Sequence, residues 1–270
     1  MTALKHLSTI VVGTAVFFGS SNIAEAGSFY VSTSRGQVGT VDQSTGVFTQ
    51  IGNGTGPAFT DIALSNEGNL FGVTDNNLYS IEKNSGVSSN IGSLGFFMNG
   101  LGFNTSNELY GTGDSGFYKI NLATGAASLV ASIAGFNSSG DLVYDRQANR
   151  FLATSGEQGS DSLWSIDLNG AATKIGKIGF LEVYGLAFDD EGSLFGYTSD
   201  RKQIAIDLTT GTGTLKQNVT GLNSLIWGAA SLPSSGPKTS VPEPSSVLSL
   251  LGIAGLVAAS LKQRQKAKLG

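Results

Sequence analysis

The sequence predicts an all-β protein, a β-propeller of five four-stranded blades. Three observations carry this reading: a hydrophobic motif that recurs about every 40 residues, a turn motif in phase with it, and a strand missing at one end of the pattern that is present at the other. The first motif is a hydrophobic pair followed by a small residue: Phe29-Tyr30-Val31, Leu70-Phe71-Gly72, Leu109-Tyr110-Gly111, Phe151-Leu152-Ala153 and Leu194-Phe195-Gly196, in steps of 41, 39, 42 and 43 residues. Four short strands in about 40 residues is the period of a propeller blade.

The second motif is an aliphatic residue, a polar or acidic one, and a turn that ends in glycine. It runs from Val41-Asp42 to Gly46, Ile81-Glu82 to Gly86, Ile120-Asn121 to Gly125, Ile166-Asp167 to Gly170 and Ile206-Asp207 to Gly211. Asx side chains bond their own backbone and glycine accepts positive φ, so each is a hairpin turn. Segments such as Leu78-Tyr79-Ser80-Ile81 and Leu163-Trp164-Ser165-Ile166 are rich in strand formers, and this region shows no sustained 3.6-residue stripe. A further column, Asp61-Ile62-Ala63-Leu64, Gly100-Leu101-Gly102-Phe103, Asp141-Leu142-Val143-Tyr144 and Gly185-Leu186-Ala187-Phe188, precedes each hydrophobic pair after the first. Outer strands follow at Ser88 to Gly92 and Thr173 to Gly176.

The first unit lacks this innermost strand, because the domain enters directly into Phe29-Tyr30. Ser224-Leu225-Ile226-Trp227-Gly228 fits the missing column at the far end. Pairing the two leaves no bare sheet edge, which short hydrophobic strands need in order to avoid edge-to-edge association. An open β-solenoid and a six-bladed ring with one degenerate blade are the competing architectures.

Composition narrows the chemistry. The 270 residues hold 38 glycines, 5 prolines, no cysteine and one histidine, His6. Disulfides, thiolate metal sites and cysteine nucleophiles are thereby excluded. Residues 27–240 carry 11 lysines and arginines against 18 aspartates and glutamates, an acidic balance that disfavours nucleic acid. The Asn-x-Ser/Thr matches at Asn53, Asn104, Asn137 and Asn218 read as turn residues.

Both ends read as addresses. Residues 1–26 combine Lys5 and His6, an apolar run from Leu7 to Gly19 and Ala24-Glu25-Ala26, the pattern of a secretory signal peptide cut by signal peptidase before Gly27. The propeller domain is expected over residues 27–232, with a linker over 233–240. Beyond it stand Val241-Pro242-Glu243-Pro244, an apolar stretch from Val247 to Leu261, and the cations Lys262, Arg264, Lys266 and Lys268. As a helix the 15-residue stretch reaches about 22 Å, short against a hydrocarbon core of roughly 30 Å, and the basic flank would sit on the cytoplasmic side.

This order of parts, over residues 241–270, resembles the PEP-CTERM sorting signal of Gram-negative bacteria. The resemblance implies that Pro242, Glu243 and Pro244 form the motif read by an exosortase-type membrane enzyme. It also implies a transient membrane anchor through the C-terminal helix, and an exported protein of the cell envelope or extracellular matrix, associated with exopolysaccharide and biofilm. In this sequence glutamine and alanine interrupt the terminal cations.

Propellers bind ligands where the loops leading into the innermost strands converge. That rule selects Thr60, Asp61, Asn99, Asp141, Tyr184 and Asn223 as the candidate ligand-binding ring, a set of oxygens and amides suited to a sugar or to Ca²⁺. No other cofactor and no metal ligand is expected. With no imidazole after Ala26, a nucleophilic triad lacks its usual base. The expected function is a non-enzymatic binding or scaffold protein that meets exopolysaccharide or envelope proteins. Its rival is a secreted metal-dependent lactonase or glycosidase using Asp61 and Asp141. The acidic run Asp189-Asp190-Glu191-Gly192 lacks the alternating ligand pattern of a calcium loop and falls where a hairpin turn is due.

Overall fold

The computed structural model describes residues 27–52 and 56–231. The signal peptide, the linker and the sorting signal lie outside the described residues. Within them the chain forms twenty strands in five four-stranded antiparallel sheets.

The first blade holds β1 (Ser28–Thr33), β2 (Val38–Asp42) and β3 (Phe48–Gln50). The second holds β4 (Asp61–Leu64), β5 (Leu70–Val73), β6 (Asn77–Ile81) and β7 (Ser88–Ser93). The third holds β8 (Gly100–Phe103), β9 (Leu109–Gly113), β10 (Gly116–Ile120) and β11 (Ala127–Ser132). The fourth holds β12 (Ser138–Asp145), β13 (Arg150–Ser155), β14 (Ser162–Ile166) and β15 (Ala172–Lys177). The fifth holds β16 (Val183–Phe188), β17 (Leu194–Thr198), β18 (Lys202–Ile206) and β19 (Gly213–Asn218).

The last strand, β20 (Ile226–Ala230), joins the first blade, whose sheet order is β20-β1-β2-β3. Its register sets Tyr30 opposite Ala230 and Val31 opposite Ala229. The ring is therefore closed as expected, and neither the solenoid nor the six-bladed ring is formed. The five innermost strands β4, β8, β12, β16 and β20 pack in sequence around the axis.

The turn motif does what its chemistry requires. Asp42 Oδ1 accepts the Ser44 and Thr45 amides at 2.9 and 2.7 Å, and Asp207 Oδ1 accepts those of Thr209 and Thr210 at 2.9 and 2.7 Å. The glycines that close these two turns, Gly46 and Gly211, have φ of 69° and 76°, a conformation a Cβ would oppose. The acidic run is a turn too: Asp189 Oδ1 accepts the Glu191 and Ser193 amides at 3.0 and 2.7 Å.

The innermost strands are buried on both faces, which explains their near-continuous apolar sequences, while the outer strands β7, β11, β15 and β19 are largely exposed. Five apolar clusters fill the five blade-to-blade interfaces. Phe29, Val31 and Phe48 meet Phe195 and Tyr197 between the first and fifth blades; Ala63, Val73 and Met98 meet Leu101 and Phe103 between the second and third. The small residue of the hydrophobic motif gives such side chains room. A Cβ on Gly111 would lie 2.1 Å from Met98 Sδ and 2.8 Å from the Gly100 carbonyl.

Antiparallel order fixes the two faces of the disc. The loops entering β4, β8, β12, β16 and β20 share one face, the mouth, with the hairpin turns after β1, β5, β9, β13 and β17. β1 begins and β20 ends on the other face. There the Gly27 carbonyl accepts the Gln43 amide at 3.0 Å and Ser231 Oγ accepts the Phe188 amide at 3.0 Å. The domain is entered and left from the side opposite its mouth.

Candidate functional site

The innermost strand of each blade has one edge paired and one edge turned to the axis, so its axial amides need acceptors. Asp61 on β4 and Asp141 on β12 supply them. Asp61 Oδ1 accepts its neighbour Ile62 N at 2.7 Å, and Oδ2 reaches the next blade to accept Leu101 N at 2.6 Å. Asp141 Oδ2 accepts Leu186 N at 2.6 Å and Ala229 N at 3.3 Å, tying β12 to β16 and to β20. Both residues are buried. Burial holds both well above the usual carboxylate range, and for Asp61 the Asp141 charge adds to the effect.

On the mouth side of the axis stands the carboxyl pair of Asp61 and Asp141. Below it lies a cavity of about 20 Å³, lined by Leu101, Leu142, Leu186 and Ala229 among others, with room for about one water molecule.

Among the other predicted residues, Thr60 and Asn99 have hydrogen-bonding roles of their own. Thr60 is half-buried, and its one hydroxyl hydrogen is shared between the Val73 and Met98 carbonyls at 3.1 and 3.0 Å. Asn99 Nδ2 donates to the Ser138 carbonyl at 3.0 Å, while its Oδ1 is buried without a partner. Tyr184 is half-buried, its hydroxyl pKa raised by burial first and then by Glu182 and Asp161. Asn223 is exposed. Asp61 and Asp141 both accept amides of the innermost strands, and Thr60, Asn99, Tyr184 and Asn223 serve separate roles.

Sequence reasoning missed Asp161. It lies in the long turn between β13 and β14, is 3% exposed, and accepts Val183 N at 2.8 Å and Ser139 Oγ at 3.2 Å through Oδ2. Burial raises its pKa. Beside it Ser199 Oγ donates to Glu182 Oε2, and Glu182 sits at φ 54°, an uncommon conformation for a side chain of its size. Neither position falls on the 40-residue beat.

Exposed apolar side chains gather on the same face. Phe96 and Phe97 lie on the loop before β8, Leu181 on the loop before β16 and Leu225 on the loop before β20, each between 41% and 55% exposed. A second depression, of about 280 Å³, opens on the opposite face between the fourth and fifth blades. Asp145, Arg146, Gln147, Arg150, Phe188 and Leu208 are among its lining residues. Arg150 Nε is bridged to Asp145 at 3.1 Å.

Among the described residues no three His, Cys, Asp or Glu side chains gather as metal ligands, and no helix is long and apolar enough to cross a membrane. The predicted membrane helix 247–261 lies outside them.

Comparison with known proteins agrees with both halves of this organisation. Residues 240–265 match the PEP-CTERM protein-sorting motif. The fold is similar to a chain of the nidogen/laminin complex, with a TM-score of 0.54 and 9% identity over 75% of this chain and 97% of that one. It is also similar to a structural-genomics protein from Bacteroides thetaiotaomicron VPI-5482, with a TM-score of 0.52 and 12% identity over 77% and 66% of the two chains. No curated protein matches the sequence. The class is a five-bladed β-propeller. This chain carries a PEP-CTERM sorting signal behind its propeller, which implies an exported, envelope-directed protein processed by an exosortase-type enzyme.

Proposed function

We propose that the propeller is a non-enzymatic binding or scaffold module of the cell envelope or extracellular matrix, and that its mouth is the surface it offers to exopolysaccharide or envelope proteins. The observation that carries this reading is the mouth itself. Its apolar side chains Phe96, Phe97, Leu181 and Leu225 are exposed, whereas its central carboxylates are spent on the ring's own amides. Exposed aromatic side chains are the usual anchors of binding surfaces. Because the chain leaves β20 on the opposite face, a C-terminal membrane segment would hold the mouth away from the bilayer.

The rival reading, a lactonase or glycosidase, needs carboxylates open to substrate. Glycosidase pairs stand roughly 5–9.5 Å apart to admit a sugar and water. Asp61 and Asp141 are buried, and their carboxyls accept backbone amides of the ring.

The test is binding by the full-length chain in detergent to a glycan array and to envelope extracts, with and without Ca²⁺, alongside a Phe96→Ser/Phe97→Ser variant. Retention by wild type and loss in the variant at unchanged melting temperature is the expected result. Turnover of lactones or glycosides that disappears in Asp141→Asn would overturn the reading. Its delivery is tested separately. Replacing Pro242, Glu243 and Pro244 with alanine leaves an unprocessed precursor in the membrane fraction if the motif is read as the signal implies.

A further inference from the structure

The loop that enters β8 is held at both ends and bare in the middle. Leu94 N donates to the Asn76 carbonyl at 2.8 Å and Met98 N to the Asp75 carbonyl at 2.9 Å, and both side chains are buried between the second and third blades. On its other side the loop rests against the β9–β10 hairpin, where a Cβ on Gly113 would lie 2.0 Å from the Phe97 carbonyl oxygen. Pinned in this way, the loop presents Phe96 and Phe97 outward, 42% and 41% exposed. Phe96 is itself backed by Tyr118, with ring centroids 4.8 Å apart and planes inclined by 35°. The loop is a firm aromatic platform on the mouth.

The two hairpins that clasp this platform each bear one carboxylate. Asp75 stands on the β5–β6 hairpin and gives its carbonyl to Met98, and Asp114 follows Gly113 on the β9–β10 hairpin; both are exposed. The Tyr118 hydroxyl is raised by burial first and then by the Asp114 charge, which places that charge beside the aromatic pair. Neither aspartate is in an ion pair among the described residues. Entry loops 51–60, 94–99 and 133–137 and hairpins 74–76 and 114–115 contain no lysine, arginine or histidine. The next mouth cation around the ring is Arg35 on the first-blade hairpin; Lys177, Arg201 and Lys202 belong to the fourth and fifth blades. This half of the mouth joins aromatic surface to uncompensated negative charge.

That combination selects among polymers, given the reading of the mouth as a binding surface, on which this inference rests. A polymer of uronic acids brings like charge against Asp75 and Asp114. An ammonium is attracted by both carboxylates and by aromatic faces. A lysine peptide carries its ammonium on a flexible stem that loses rotamer freedom on binding, whereas a hexosamine fixes it to a rigid ring whose C–H face can cover a phenyl ring.

We propose that this sector of the mouth binds a cationic amino-sugar polymer, with unacetylated hexosamine rings laid on Phe96 and Phe97 and their ammonium groups facing Asp75 and Asp114. The carboxylates keep the amines protonated, and salt weakens the complex because both aspartates are exposed.

The experiment is titration calorimetry of the full-length chain in an uncharged detergent at pH 6, with four probes: a glucosamine hexamer, its fully N-acetylated counterpart, a galacturonate hexamer and hexalysine. The glucosamine hexamer should bind tightest of the four. Asp75→Asn/Asp114→Asn should weaken it about tenfold, the effect of two exposed ion pairs. Asn tolerates the φ of 48° at position 114, so this variant keeps the hairpin. Asp200→Asn, on the fifth-blade hairpin, removes the same kind of charge elsewhere on the mouth and should leave binding unchanged. Phe96→Ser/Phe97→Ser should abolish it. Equal binding of the acetylated hexamer, tighter binding of the galacturonate, or equal losses in Asp200→Asn and Asp75→Asn/Asp114→Asn would overturn the proposal. Tighter binding of hexalysine overturns it in favour of a basic protein partner. If any of these probes binds through Phe96 and Phe97, the mouth remains a binding surface and only the amino sugar is lost; if none binds and the phenylalanine variant changes no retention on glycans or envelope extracts, both readings fall.

Discussion

Val31 of β1 stands directly opposite Ala229 of β20, so that residues separated by nearly the whole domain form the seam that closes the ring. The seam is tight on its axial side, where Gly228 leaves no space for a side chain. Its Cβ would meet Asp61 Oδ1 at 2.5 Å and the Asp61 backbone at 2.7 Å. Gly228→Ala is therefore expected to cost about 1–3 kcal/mol as an overpacking change. Leu225→Ser, three residues earlier and 48% exposed, should stay within about 0.5 kcal/mol. Denaturant unfolding of the two variants separates these outcomes.

A buried polar chain reinforces the fifth blade and reaches the first. Gln203 Nε2 donates to the Tyr197 hydroxyl at 2.8 Å, and Gln217 Nε2 donates to Gln203 Oε1 at 2.7 Å and to the Gln43 carbonyl at 2.9 Å. Gln203→Leu would strand the Tyr197 hydroxyl, which is fully buried, and is expected to cost about 1–3 kcal/mol. The measurement is the unfolding midpoint, with Tyr197→Phe/Gln203→Leu recovering part of the loss because both polar partners are then gone.

The hairpin carboxylates act in the direction opposite to the axial pair. Asp42 is lowered to about 2 by the Ser44 hydroxyl first, then by the Thr45 amide and hydroxyl, and Asp207 is lowered chiefly by the Thr210 and Thr209 amides. Their contribution is present above the unfolded value near pH 4 and is lost as pH falls through the folded value. Asp42→Ala should lower the melting temperature slightly at pH 7, by an amount that shrinks toward zero as pH approaches 2. An effect of equal size at both pH values would contradict it. Solvent at this exposed turn keeps the effect small.

Neighbouring residues on one loop should respond differently. Met98 is fully buried in the interface between the second and third blades, so Met98→Ala is expected to cost about 2–5 kcal/mol. Phe97 is 41% exposed, and Phe97→Ser should change thermal stability little. Melting curves of the two variants, recorded side by side, test whether this loop divides a structural residue from a surface one.

Most of the ring was legible because its signals are local. Asp42 through Gly46 and Asp207 through Gly211 specify their turns through their own side chains and backbone, whatever surrounds them. The closing strand was legible for a different reason: a missing innermost strand before Phe29 and a surplus one around Trp227 leave a single pairing that abolishes both edges. The site was legible only in part. The sequence places Asp61 and Asp141 at strand starts, but strands buried on both faces carry no inside-outside alternation. Nothing in the pattern told the axis from the mouth. Asp161 depends on the fold of a turn outside the repeat, and it becomes visible only when Val183 and Ser139 are brought to it.

β1 finds β2 at once, but its other edge is filled only by β20, so the first strand gains its second partner last. Until residues 226–230 are in place the domain is an unfinished row of blades with a raw edge on β1. The sorting motif begins at residue 240, ten residues beyond the end of the strand that locks the disc.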